Sequence, residues 1–155
     1  MIGKRKPRLL FLCTGNSCRS QMAEGWVRKL KSEVFESYSA GIEKHGLNLD
    51  AVGVMAEAGV DISGQCSKTI DELPVRDFDL VITLCDHASE SCPFFPGQTR
   101  CLHRSFPDSP KLAAGAESEE ERLAPYRRVR DEIRAFVEGI PGNLGSTEVS
   151  RQPEK

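Results

Sequence analysis

No run of this sequence is long and apolar enough to cross a membrane, and the apolar run near its start, Leu9 to Leu12, is too short for the core of a signal peptide. The expected compartment is therefore the cytoplasm, with no membrane contact. No charge of one sign dominates: 21 basic residues stand against 23 acidic ones, a net charge of −2. That balance argues against nucleic acid as a partner. No internal repeat is visible, which sets aside a solenoid. Histidine is scarce, with three in the chain. His45 and His103 make no case for a metal site, and His87 reads as a solvated surface residue.

What the chain does have is cysteine. Cys13, Cys18, Cys66, Cys85, Cys92 and Cys101 make six in 155 residues. A small exported domain would use an even number for disulfides. Without an export signal, this density points to catalytic, metal-binding or redox-active thiols. The length suits one domain that buries about 70% of its unfolded surface. The domain is expected over residues 8–140, with residues 1–7 and 141–155 as flexible tails.

Apolar residues alternate between strand-like and helix-like spacing along the chain. Residues 8–12 read as a central strand buried on both faces. Residues 20–31 follow as a helix, with Met22, Ala23, Trp26, Val27 and Leu30 on one face. A second strand is expected over 34–39. A helix capped by Asn48 comes next, with Leu49, Val52, Met55 and Ala56 inward and Gly59 as its stop. A short helical turn is expected over 68–73. Residues 79–84 form the clearest later strand, and 101–103 a short fourth. Pro107 and Pro110 mark a loop. A last helix over 121–138 buries Leu123, Tyr126, Val129, Ile133, Phe136, Val137 and Ile140, with Pro125 in its first turn or at a kink. The class is α/β, with a four-stranded, mainly parallel sheet and helices on both faces. Ligands of such sheets bind beyond the carboxyl ends of the strands. Cys13 and Cys85 each end a strand, so the two thiols are placed to share a site.

The loop after the first strand carries the chemistry. Attack on an oxyanion needs a nucleophile, a cation and a seat for the oxygens. A helix N-terminus and the Arg19 guanidinium favour a thiolate at Cys13, and Ser20 is placed to hydrogen-bond its sulfur. Successive amides across Thr14, Gly15, Asn16, Ser17 and Cys18 make a concave seat, with Gly15 and Asn16 able to take positive φ. Arg19 can hold two oxygens at once. Cys13 as an ordinary core thiol is the alternative. A zinc site from Cys13, Cys18, Cys85 and Cys92 is another, although its spacing fits zinc pairs poorly; no metal is expected.

The stretch from Cys13 to Trp26, Cys-Thr-Gly-Asn-Ser-Cys-Arg-Ser-Gln-Met-Ala-Glu-Gly-Trp, resembles the opening of the thioredoxin-coupled arsenate reductases. These share the low-molecular-weight tyrosine phosphatase fold. Tyr38 to Glu43, Val81 to Cys85 and Arg128 to Ile133 resemble the same family. The similarity runs from about residue 8 to 136. Phosphatases of this fold need only the loop cysteine, whereas the reductases need two more, and Cys85 and Cys92 have the family's spacing. Held in one intact helix, those two would lie about 10.5 Å apart along the axis. A disulfide needs Cα atoms within about 7 Å, so the segment, limited by Pro93, has to unwind to close one. The resemblance implies arsenate as substrate, attack by Cys13, Asp108 as the acid, a Cys13–Cys85 disulfide, then Cys85–Cys92, and electrons from thioredoxin without an organic cofactor. Asp108 precedes Ser109 and Pro110, where the family usually has Asp directly before Pro. Some members bind potassium at positions matched by Asn16, Glu24 and Ser39. Lys68 replaces an Asp of that set, and the expectation is an enzyme independent of potassium. Cys66 and Cys101 have no role in this scheme. A monomer is expected. A phosphatase using Cys13, Arg19 and Asp108 alone is the alternative enzyme, disfavoured by Gln21 where phosphatases usually carry Pro. A thiol sensor that binds arsenite or zinc through Cys85 and Cys92 is the alternative without catalysis.

Overall fold

A computed structural model describes residues 6–92, 99–146, 148 and 149. The first strand, β1 (Arg8–Cys13), lies inside the sheet, with a neighbour on each side. It pairs in parallel with β2 (Glu36–Gly41) on one side and with β3 (Leu80–Thr83) on the other. Next comes β4 (Arg100–His103), also parallel. Leu9 to Leu12 are fully buried, as an unbroken apolar strand between two neighbours must be. A short antiparallel strand, β5 (Glu148–Val149), pairs Val149 with Leu102 and makes the sheet five-stranded.

Helix α1 (Arg19–Leu30) packs on β1, β2 and the long α5 (Glu119–Gly139). Its spacing places Met22, Ala23, Trp26 and Val27 inside as expected, while Leu30, at the helix end, is exposed. The Trp26 indole N–H donates to the Arg130 carbonyl at 3.1 Å and so ties α1 to α5. Helix α2 (Leu49–Glu57) begins at Asn48, whose side chain accepts from the Ala51 amide. Gly59, at φ +85°, follows its end. The face that α2 buries matches the expected one at Met55 and in part at Val52, and departs from it at Leu49 and Ala56. Ala51, Val54 and Met55 are inside, while Leu49 is 82% exposed. This helix is apolar on nearly every side, so two stripes were compatible with its sequence; contact with α5 selects the second.

Three further differences concern helix ends and the C-terminus. Pro125 lies inside α5 rather than in its first turn. Ser118 caps that helix by accepting from the Glu121 amide, and Glu119 to Glu121 extend it upstream where acidic residues suit its dipole. The loop expected around Pro107 and Pro110 contains a short helix, α4 (Ser109–Ala113), with Asp108 at its N-cap position. A proline in the first turn has no amide hydrogen bond to lose. The expected tail after residue 140 runs instead as a 3₁₀ turn, Gly142–Ser146, followed by β5. Leu144 is buried there, the Asn143 amide donates to the Phe136 carbonyl, and β5 covers the open edge of β4. At the other end, the Pro7 carbonyl and the Lys6 ammonium hold hydrogen bonds to Glu36 and Ser32.

Ile133 sits fully buried on α5. Ile133→Ala is expected to lower unfolding free energy by about 2–5 kcal/mol. Urea denaturation, followed by emission of the single tryptophan, Trp26, measures it. A cost under about 1 kcal/mol would mean that α5 is not part of the cooperative core.

Candidate active site

Where β1 ends, the chain turns through a loop into α1. Cys13 is the last residue of β1 and Arg19 the first of α1. Four loop carbonyls are engaged from outside by the segment after β2. The amides of Ile42, Glu43, His45 and Asn48 donate to the carbonyls of Cys13, Thr14, Gly15 and Ser17. With its carbonyls held outward, the loop turns its amides toward the concave side. Gly15 has to be glycine, because a Cβ there would lie 2.2 Å from the His45 ring.

Asn16 shapes this turn. It adopts φ +48° and is fully buried. Its side-chain amide donates to the hydroxyls of Ser20 at 2.8 Å and Ser39 at 3.0 Å, and its Oδ1 accepts from the Lys68 amide at 2.8 Å. The Gln21 side chain donates to both the carbonyl and Oδ1 of Asn16. The Ser20 hydroxyl, held by Asn16, lies 2.8 Å from the Cys13 sulfur, to which it can donate when that sulfur is a thiolate. Asn16 and Ser20 are therefore braces for the loop and the sulfur. Neither side chain lines the pocket itself.

That pocket has a volume of about 240 Å³. Its floor is the loop: Cys13, Thr14, Gly15, Ser17 and Cys18, with Arg19 beside them. The Arg19 guanidinium is held by the Phe106 carbonyl at 3.1 Å. Asp108 and Pro110 also line it, so the carboxyl and the thiol belong to one cavity. Ser109, between Asp108 and Pro110, is fully buried and donates to the Pro125 carbonyl. The extra residue thus anchors α4 to α5 and leaves Asp108 lining the pocket. His45 also lines the pocket, which its place in the sequence did not signal.

The remaining thiols divide into three environments. Cys85 caps the short helix α3 (Asp86–Glu90), where its sulfur accepts from the Ala88 amide. The same sulfur lies 3.3 Å from the Thr14 hydroxyl. The second strand-end thiol therefore touches the residue next to Cys13, as the parallel order of β1 and β3 predicts. Cys92 follows α3, and the neighbouring Cys101 of β4, together with burial, pushes its thiol up. Pro93 lies outside the described residues. Cys18 is enclosed: burial, with the neighbouring Cys13 sulfur, pushes its thiol up to about 12. Cys66 is exposed. Among the described residues, no three His, Cys, Asp or Glu side chains converge as metal ligands.

Residues 8–144 match the low molecular weight phosphotyrosine protein phosphatase family. An arsenate reductase of Halalkalibacterium halodurans is 52% identical over 128 residues, 83% of this chain and 90% of that protein. Among solved structures, an arsenate reductase in its oxidized state is 29% identical with a TM-score of 0.67, covering 88% of this chain and 98% of that one. A low molecular weight protein tyrosine phosphatase from T. tengcongensis is 27% identical with a TM-score of 0.69, covering 90% of this chain and all 100% of that one. Backbone similarity is thus equal for the two activities, and side chains have to separate them.

With its thiol pushed up to about 12, Cys18 stays protonated at pH 8 and is a poor nucleophile. Iodoacetamide at pH 8 is expected to leave Cys18 unlabelled in the folded protein while Cys66 reacts. Unfolding frees the Cys18 thiol to ionise near its ordinary value of 9.0, so its burial stabilises less and less as pH rises above that value. Rapid native labelling of Cys18, read by peptide mass mapping, would contradict this placement.

Proposed function

The chain belongs to the low molecular weight phosphotyrosine protein phosphatase family and, within it, to the arsenate reductases; from that premise we propose that it reduces arsenate to arsenite through a relay of three thiols, Cys13, Cys85 and Cys92. The observation that carries the relay is the contact of Cys85 with Thr14, which puts a second sulfur beside the nucleophile's loop. A phosphatase using Cys13, Arg19 and Asp108 would have no use for it.

Arsenate enters the loop, where the amides and Arg19 hold its oxygens. Ser20 steadies the Cys13 thiolate. Cys13 attacks arsenic, and an oxygen leaves as water after taking a proton from Asp108. The Cys85 thiolate then attacks the Cys13 sulfur. A Cys13–Cys85 bond forms, the sulfur–arsenic bond breaks, and its electron pair stays on arsenic, which leaves as arsenite. Cys92 next attacks Cys85, releasing Cys13 as thiolate and forming Cys85–Cys92. Because α3 separates those two residues, this step requires the segment to unwind. The reductant we assign is a thioredoxin, meeting a monomer in the cytoplasm. Among the described residues, no helix is long and apolar enough to cross a membrane.

The relay is tested with arsenate, thioredoxin, thioredoxin reductase and NADPH. Cys13→Ser, Cys85→Ser and Cys92→Ser are each expected to lose multiple turnover, and Cys92→Ser to accumulate a Cys13–Cys85 disulfide. Unimpaired turnover without Cys85 or Cys92 would defeat the relay, whereas no arsenate-dependent NADPH loss in the wild type would leave the phosphatase reading.

Behind the loop, Lys68 bears on potassium. Its ammonium donates to the carbonyls of Cys66 at 2.8 Å and Ser39 at 3.2 Å. Asn16 Oδ1 is taken by the Lys68 and Gln21 amides, and Glu24 by Ser39 and Arg28. The oxygens that a potassium ion would need are already engaged, and a fixed cation stands among them. We propose that Lys68 supplies the charge that a bound ion would otherwise bring. Arsenate turnover is expected to be equal in sodium and potassium buffers of matched ionic strength; clear activation by potassium would overturn this.

A further inference from the structure

We propose that His103 is a positioning residue for the second thiol: bonded to Thr83 on one side and to Asp86 on the other, it pins the first residue of α3 to the sheet and so holds Cys85 against Thr14 until it attacks. The inference rests on the reductase reading for that attack, but not for the latch itself.

Thr83 and His103 end β3 and β4 and stand opposite each other in register. His103 Nδ1 lies 2.7 Å from the Thr83 hydroxyl oxygen, and its Nε2 lies 3.0 Å from Asp86 Oδ1. Asp86 is the first residue of α3 and directly follows Cys85. A carboxylate only accepts, so Nε2 carries the proton in that contact. In the neutral ring, Nδ1 then accepts from the Thr83 hydroxyl. In the charged ring, Nδ1 donates to it, and the hydroxyl turns to the Leu102 carbonyl at 3.3 Å. Both bonds of the latch hold in either state. A threonine, a histidine and an aspartate in a row also resemble a nucleophile with its base. Thr83, however, is fully buried and does not line the pocket, so substrate does not reach its hydroxyl. The row ties elements together and does no chemistry of its own.

What it ties down is the backbone on the far side of Cys85. Upstream of the thiol, both backbone groups of Leu84 are engaged. Its amide donates to the Leu12 carbonyl of β1 at 2.8 Å, and its carbonyl accepts from the Phe106 amide at 3.0 Å. Downstream, α3 has five residues, too few for a helix to be stable alone. The bond between Asp86 and His103 gives its first turn a fixed attachment to β4. Cys85 is thus held from both sides, and its sulfur stays 3.3 Å from the Thr14 hydroxyl. The two halves of the latch differ in exposure: the His103 side chain is 14% exposed and that of Asp86 81%. Water replaces the bond to Asp86 at little cost, whereas the bond to buried Thr83 is expensive to lose. The latch therefore opens at Asp86 when α3 unwinds to bring Cys92 to Cys85. His103 stays on the sheet and receives Asp86 again when the helix reforms.

Two substitutions separate the two bonds. In His103→Asn the side-chain amide reaches only where Nδ1 stood, and it keeps the Thr83 bond without the one to Asp86. In His103→Gln it reaches where Nε2 stood, and it keeps a donor to Asp86. Reduced full-length protein is treated with iodoacetamide without arsenate, and alkylation of Cys85 is timed by peptide mass mapping. Loss of one exposed hydrogen bond is expected to speed Cys85 labelling roughly three- to tenfold in His103→Asn, with His103→Gln within about twofold of the wild type. Asp86→Ala, a surface change that does not threaten the fold, is expected to match His103→Asn. Asp86→Asn keeps an acceptor and is expected to match the wild type. In a single turnover with arsenate and no external reductant, arsenite release is expected to slow by a similar factor in His103→Asn and Asp86→Ala, and His103→Gln restores it. Cys85 labelling at the wild-type rate in both His103→Asn and Asp86→Ala overturns the latch, and so does equal acceleration in His103→Gln. Faster labelling with arsenite release unslowed overturns the positioning role. If the wild type forms no arsenite, the reductase reading fails instead, and the labelling rates still decide for or against the latch.

Discussion

A single buried side chain holds the nucleophile's loop in its working shape. Asn16 takes a left-handed backbone that costs a non-glycine residue strain. It keeps that conformation because its side chain is bonded on every side: to Ser20, Ser39, Gln21 and the Lys68 amide. Each partner is itself buried or part-buried, and an orphaned polar group in such a place costs about 1–3 kcal/mol. The network therefore resists any change in the turn. It also determines what surrounds Cys13. Asn16 holds the Ser20 hydroxyl, which stands 2.8 Å from the sulfur. The chemistry in the pocket rests on a cluster that the substrate never touches.

The second half of the site has the opposite character. The loop is rigid because nothing in it may move during attack. The segment from Cys85 to Cys92 is a five-residue helix, α3, between two thiols that have to meet. A helix this short is weakly cooperative, so it can unwind without disturbing the sheet. Cys85 keeps one contact with each half: its sulfur lies on Thr14 and caps α3. The division matches the work. In the proposed relay, oxyanion binding and attack use the braced loop, and electron delivery uses the Cys85–Cys92 pair outside it. The close backbone similarity to a reductase and to a phosphatase is then expected, since both activities need the braced loop.

The buried strands were legible because their signal is unambiguous: Leu9 to Leu12 and Leu80 to Thr83 have one environment available to them. The Cys13–Arg19 loop was legible for a similar reason, since a cysteine at a strand end, a glycine, an asparagine and a following helix form a pattern with few other uses. The buried face of α2 was not, because an apolar helix carries no contrast and only α5 decides which side turns inward. Residues 142–149 read as a tail because Gly, Asn and Ser dominate; the open edge of β4 that recruits them is a property of the folded sheet. Asn16 was read as part of the oxyanion seat through its backbone amide, and its side chain turns inward as a brace that the sequence did not signal. Its partners Ser39 and Lys68 lie far along the chain, so no local pattern shows the difference. His45 at the pocket and Cys101 beside Cys92 come from other strands and loops in the same way.

The central claim is that binding at Cys13 becomes a reduction because a second sulfur stands beside it. The direct measurement is a single turnover with arsenate and no external reductant, counting arsenite formed and thiols lost per protein molecule. The account predicts one arsenite and two thiols for the wild type, and no arsenite when Cys85 is replaced by serine. Arsenite formed at the same stoichiometry without Cys85, or two thiols lost with no arsenite, would contradict it.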